Sequence, residues 1–219
     1  MLPLSDKRTF YMLGMIHRDK DNGKIVDRWL NEIRPDVITI EFSQYGLMFR
    51  KEKGVLYRKQ VESVLEGMRQ DRKEYNEEAL SYLYAFIDLP GEYEAASRFC
   101  IDNSAALYLV DMDLFSYMNL RKIDELFNEE NIKNVIGTYG GQVAGNERAI
   151  ARLFFNTGIE MTPYTEEMYI RDCAMSRKIN VLMRHHSGKQ FAHITGWQHL
   201  KDPHAIFAPL HPVKVFPYD

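Results

Sequence analysis

Cysteine is almost missing: the 219 residues hold two, Cys100 and Cys173. A lone pair so far apart makes neither a disulfide framework nor a zinc pattern. Both fall in stretches that read as helix, where they serve as small apolar residues. No apolar run reaches the roughly 18 residues that a bilayer-spanning helix needs. Residues 1–8 are mixed and lack the apolar centre of a secretion signal. Charge of one sign is lacking too. The 28 Lys and Arg are matched by 31 Asp and Glu, a net charge of −3, and this excludes a general binder of phosphate backbones. No tandem repeat or low-complexity tract occurs. The expectation is a cytoplasmic protein that acts on a small molecule or a peptide, without nucleic acid and without a membrane span.

The composition that remains, 45% hydrophobic and 27% charged, is that of a globular chain long enough for a sizeable core. Residues 9–17, with Phe10, Tyr11, Met12, Leu13 and Ile16, read as a buried strand. Asp21-Asn22-Gly23 is a turn. Ile25, Val26, Trp29, Leu30 and Ile33 then recur at helical spacing until Pro35 stops them. The run Val37-Ile38-Thr39-Ile40 is a second strand that ends on Glu41. Strand, helix and strand in about 35 residues predict a βαβ unit with a right-handed crossover. Residues 44–88 read as a pair of solvated helices. A helix with Ala95 and Ala96 on a small-residue face follows Pro90-Gly91.

Residues 105–111 predict a third strand, with Asp111 and Asp113 at its end. Two helices, broken around 137–141, fill 120–155. Another covers 165–183, with Thr165 as N-cap and Glu166 and Glu167 in its first turn. The fourth strand is 190–196. A short strand at 213–216 lies between Pro212 and Pro217, which fits a sheet edge. The expected fold is α/β, a mostly parallel central sheet of about 4–5 strands with helices on both faces. It forms one domain over 1–219, with a largely helical insertion at about 44–104 that caps the sheet.

One pattern occurs twice, each time as an apolar strand ends: Gly14-Met15-Ile16-His17 and Gly196-Trp197-Gln198-His199. With 13 Gly and 7 His, about 0.4 such matches arise by chance. Glycine permits a close backbone approach, and the imidazole beyond it projects over the sheet's carboxyl edge, where open parallel sheets bind ligands. Glu41, Asp111 and Asp113 close other strands at the same edge. His17, His199 and Glu41 can hold a divalent transition metal (Mn, Co or Zn) or run acid–base chemistry. Asp111 and Asp113 serve equally well as helix N-caps. His185 and His186 suit a helix C-terminus, and His193 reads as structural. Arg171 by itself is a surface ion-pair residue. Tyr45 either lines the site or packs.

These pieces resemble the TraB/TIKI superfamily, which includes ChaN-like proteins and erythromycin esterases. The matching motifs are Leu13-Gly14-Met15-Ile16-His17, Ile38-Thr39-Ile40-Glu41 and Pro90-Gly91-Glu92-Tyr93-Glu94-Ala95-Ala96. Tyr108-Leu109-Val110-Asp111, Ile170-Arg171-Asp172 and Gly196-Trp197-Gln198-His199-Leu200 follow in the family's order. The resemblance implies a site of His17, Glu41 and His199. It adds Glu92, Asp111 and Arg171 on the substrate side, with Glu92 preferred to Glu94. Family members usually carry Glu before the Arg, where Ile170 stands here. Some members look like metal-dependent proteases, the erythromycin esterases use a His base without a metal, and ChaN-like members are linked to haem. The expected activity is metal-dependent hydrolysis of an amide or ester. In that reading Arg171 holds a substrate carboxylate or steadies developing negative charge. The alternatives are a metal-independent His/Glu esterase-type hydrolase and a non-catalytic binder of a haem-like ligand.

Overall fold

The computed structural model describes residues 9–138 and 143–218. The expectations for residues 1–8 and for the break at 139–141 lie outside the described residues. Five strands form in chain order: β1 (Phe10–Met15), β2 (Val37–Ile40), β3 (Ala106–Leu109), β4 (Phe191–Gly196) and β5 (Pro212–Val215). The helices are α1 (Asn22–Ile33), α2 (Gln44–Gln70), α3 (Glu77–Ile87), α4 (Gly91–Asn103), α5 (Asp113–Leu120), α6 (Ile123–Leu126), α7 (Glu129–Thr138), α8 (Val143–Thr157) and α9 (Glu166–His185). Two compact units result. One comprises Met1–Phe42, Gly91–Met112 and Ala144–Asp219; the other comprises Ser43–Pro90 and Asp113–Val143.

The first unit holds the sheet, in the order β3-β2-β4-β1-β5, with every pairing parallel. The α/β architecture with a parallel sheet is as expected. Every residue of β1, β2 and β4 is buried, as continuous apolar runs require when both faces are covered. β5, with Pro212, is an edge strand. On one face Phe10, Met12, Val37 and Phe191 pack with Met175 and Ile179 of α9 and with Phe207 and Leu210. α4 packs on β2 and β3, and α1 packs on α4. Gly23 and Gly91 come close at that crossing, where an added Cβ on either would meet the other's backbone at 3.3 Å. The expected βαβ unit differs in one respect: β1 and β2 are not neighbours, because β4 lies between them.

The second unit corrects two expectations. First, α2 and α3 are not merely solvated. Tyr57, Val61, Val64, Leu65, Met68, Leu80, Leu83 and Ile87 form a core with Leu120, Ile123, Phe127, Ile132 and Ile136. The charged side chains from Lys51 to Lys53 and from Arg69 to Glu74 stay exposed. Ser43 caps α2 by accepting from Gly46 N (2.9 Å), and Asn76 caps α3 by accepting from Glu78 N and Ala79 N. Second, the helical part does not run continuously over 44–104. α4 belongs with the sheet, while 113–143 joins α2 and α3. The expected pair of helices in 120–155 becomes α5 to α8.

Candidate functional site

The site lies at the carboxyl ends of β1, β2 and β4, and Glu41 is its centre. Glu41 follows the β-branched run of β2 and keeps its place in the ladder, donating its N–H to Ile194 O at 2.8 Å. Its carboxylate is buried and accepts four hydrogen bonds. Oε1 takes Arg171 Nη2 and His199 Nε2 (3.0 Å). Oε2 takes Thr195 Oγ1 (2.6 Å) and the Gly196 N–H (2.7 Å). Burial alone would raise its pKa. The charges of His199 and Arg171 outweigh burial and hold Glu41 well below the usual carboxylate range.

His199 sits in the 3-10 turn Trp197–Leu200 that directly follows β4. Its Nε2 faces Glu41, and its Nδ1 meets Asp172 Oδ1. Asp172 also accepts from the Tyr164 hydroxyl. Burial works against a charged ring, yet Glu41 and Asp172 together push the His199 pKa up to about 10. His199 is therefore an imidazolium clamped between two carboxylates. Arg171, one residue before Asp172, forks onto Asp111 (Nε to Oδ1 3.1 Å, Nη2 to Oδ2 2.9 Å) and reaches Glu41. Burial opposes its charge, and Glu41 and Asp111 reverse that and raise its pKa.

His17 is different. Its side chain is exposed, and among the described residues it makes no side-chain hydrogen bond. It lies close enough to bear electrostatically on both Glu41 and Glu92. Arg18, next in sequence, holds a left-handed φ of 59°, a strain that tends to collect at functional sites. Glu92, at the start of α4, accepts from Asn22 Nδ2 at 3.4 Å. Burial raises its pKa, only partly offset by its backbone hydrogen bond, by His17 and by Asn22. Glu94 is exposed.

The two Gly-x-x-His motifs interlock. Met15 pairs with Gly196 across β1 and β4. A Cβ on Gly14 would strike Leu200, and Trp197 Cα at 2.9 Å, both from the second motif. A Cβ on Gly196 would meet His17 Nε2 at 2.5 Å, from the first. Each glycine is thus the space into which the other motif's turn fits.

Of the expected site residues, the structure brings His17, Glu41, His199, Glu92, Asp111 and Arg171 to one edge. Three roles change. Arg171 and Asp111 occupy each other, so neither is open to hold a substrate carboxylate or serve as a helix cap. Asp113 belongs to the second unit, where it begins α5 and accepts from the Tyr45 N–H at 2.8 Å. Tyr45 packs there, beside Phe49 and Tyr117. His186 bonds the Tyr108 hydroxyl at 2.8 Å. His193 is fully buried against Thr39, and burial pushes its pKa down to about 4.

The metal expectation meets a donor set that does not fit it. Both ring nitrogens of His199 face carboxylates, and all four acceptor positions of Glu41 are filled, one of them by the Arg171 guanidinium. Among the described residues no three His, Cys, Asp or Glu are arranged to hold a metal ion. Asp172 and Thr195 were not singled out from sequence as site residues. The signal for Asp172 was present: Met168, Asp172, Met175 and Ile179 line the buried stripe of α9, and a carboxylate on such a stripe needs a cationic partner. The chain matches no protein-family model, no curated protein and no solved structure. Among the described residues no helix is long and apolar enough to cross a membrane.

Proposed function

We propose that this chain is a metal-independent hydrolase of an ester or amide bond, with His17 as the general base. The supporting observation is the division of labour at the edge. His199, Arg171, Asp111 and Asp172 are spent on fixing Glu41 as a buried anion, while His17 stays exposed beside that anion and its ring nitrogens make no hydrogen bond among the described residues. Water held by His17 loses its proton to the imidazole as its oxygen attacks the substrate carbonyl. The imidazolium that forms is stabilised by the fixed charge of Glu41. Glu92, the carboxyl that burial pushes up, is the group best suited to give a proton to the leaving oxygen or nitrogen. The reading also accords with the resemblance to the erythromycin esterases.

The test is a panel of small carboxylic esters and peptides, run with and without a chelator, on the parent and on His17→Ala. Hydrolysis that is indifferent to the chelator and falls by about 10²–10⁴-fold in His17→Ala supports the reading. Activity that needs added Mn, Co or Zn, or that survives His17→Ala, overturns it.

A further inference from the structure

Directly before His17 the chain closes a ring of hydrogen bonds through Tyr218, which lies 202 positions from Ile16 and 196 from Asn22 in sequence. The Ile16 N–H donates to the Tyr218 hydroxyl at 2.8 Å. The Tyr218 hydroxyl donates in turn to Asn22 Oδ1. Asn22 Nδ2 donates to Ile16 O at 2.8 Å and to Glu92 Oε2 at 3.4 Å. The direction of every bond is forced. The Ile16 carbonyl can only accept, so it must face Nδ2 of Asn22, and Oδ1 is then left to accept the single hydroxyl proton of Tyr218. The same Nδ2 reaches Glu92. Asn22 is 1% exposed and Tyr218 is 8% exposed, so water does not substitute for either partner.

The segment that carries Tyr218 is itself pinned. Arg152 donates to Tyr218 O at 2.8 Å, and Arg28 donates to Pro217 O at 3.1 Å. Arg148 lies over the Tyr218 ring, 5.1 Å from its centre. The same Arg148 binds Asp19 Oδ2 at 2.6 Å and Asp21 Oδ2 at 3.3 Å, in the loop after His17.

We propose that Tyr218 is a positioning residue for the site: its hydroxyl locks the Asn22 amide in the one orientation that gives Glu92 a donor and ties down the backbone before His17. This inference rests on the hydrolase reading for the purpose of the arrangement but not for its existence. The groups that bear on Glu92 are His17, Asn22, Glu41 and Tyr218. A donor from Asn22 favours the ionised Glu92. Without the Tyr218 hydroxyl, Oδ1 loses its donor and the amide is held by Ile16 O alone; the longer bond to Glu92, at 3.4 Å, then slackens, which favours the protonated form.

The experiment follows the Glu92 carboxyl by carbon-13 NMR through a pH titration in the parent, Tyr218→Phe, Asn22→Leu and the double variant. Asn22→Ala takes the place of Asn22→Leu if the latter does not fold. The expected result is an upward shift of the Glu92 titration in each single variant, with no further shift in the double variant. An unchanged Glu92 titration in Tyr218→Phe overturns the proposal. So does a Tyr218→Phe shift that persists undiminished on the Asn22 background, since Tyr218 would then act by another route. The titration needs no substrate. A parent without hydrolytic activity therefore sinks the hydrolase reading and leaves this result to be judged separately.

Discussion

The interlocked glycines allow His17 to be moved without being removed. Gly196 has φ −61° and ψ 141°, a conformation open to any L-residue, so Gly196→Ala adds no backbone strain. The new Cβ would sit 2.5 Å from His17 Nε2 and 2.9 Å from Cε1, with Glu41 Oε2 at 3.5 Å. The obstacle is thus the far end of an exposed side chain, which can swing aside. To regain ordinary contact the imidazole must withdraw by about 1 Å, and a displacement of that size from a reacting geometry costs about a hundredfold in rate. Stability should be unchanged or higher by about 0.4–1 kcal/mol, because alanine restricts the unfolded chain. Gly14→Ala makes the opposite case. Its Cβ meets Trp197 Cα at 2.9 Å as well as Leu200. Backbone cannot yield as a ring tip does, so overpacking should cost about 1–3 kcal/mol. Urea unfolding reads the stabilities, and the His17 ring signals in proton–carbon NMR read its position. If Gly196→Ala unfolds as early as Gly14→Ala, or leaves the His17 signals where they were, the interlocking account is wrong.

Asp172→Asn breaks the clamp on a buried imidazolium and should cost about 3–5 kcal/mol in urea unfolding. The His199 pKa is raised from 6.5 to about 10. Its contribution is therefore whole below pH 6.5 and lost as pH rises through about 10; Asp172→Asn should flatten that alkaline decline. His193 works in the other direction: with its pKa pushed from 6.5 down to about 4, it destabilises the fold as pH falls across that interval, and His193→Phe should reduce that acid loss. Arg171→Met leaves buried Asp111 without its cation and Glu41 with His199 alone. A loss of about 3–5 kcal/mol is expected, with the Glu41 titration moved upward in carbon-13 NMR. In the second unit, a Cβ on Gly54 would lie 2.5 Å from the Ile87 carbonyl oxygen. Gly54→Ala should lower the urea midpoint by the equivalent of about 1–3 kcal/mol.

The strands were legible because they are continuous apolar runs bounded by turn residues, and each forms close to where that pattern ends. Their order was not legible. Insertion of β4 between β1 and β2 depends on partners some 180 residues apart, and local periodicity carries no trace of that distance. The second core was hidden for a different reason. In α2 only 8 of the 27 positions are buried, and the charges between those positions dominate the composition, so a packed face passes for a solvated one. At the site, His17, Glu41 and His199 could be found from spacing and strand context. Their separate roles could not, since an imidazole read from sequence is equally a ligand, a base or a fixed cation. Only the pairing of Asp172 with Nδ1 and Glu41 with Nε2 distinguishes His199 from His17. Asn22 was concealed within Asp21-Asn22-Gly23, which reads as a turn and is in part the first turn of α1.

The strand order also bears on how the protein is made. β1 leaves the ribosome first among the strands, yet both of its neighbours, β4 and β5, leave last. Through most of synthesis an apolar six-residue strand has neither edge paired. Such a segment is prone to associate with other nascent chains, so a chaperone that shields it until residues 191–215 emerge should raise the yield. The same arrangement makes the site a seal of completion. Gly196 and His17 cannot meet until β4 has slotted in beside β1, so a stalled or truncated chain carries half of each element and no assembled edge.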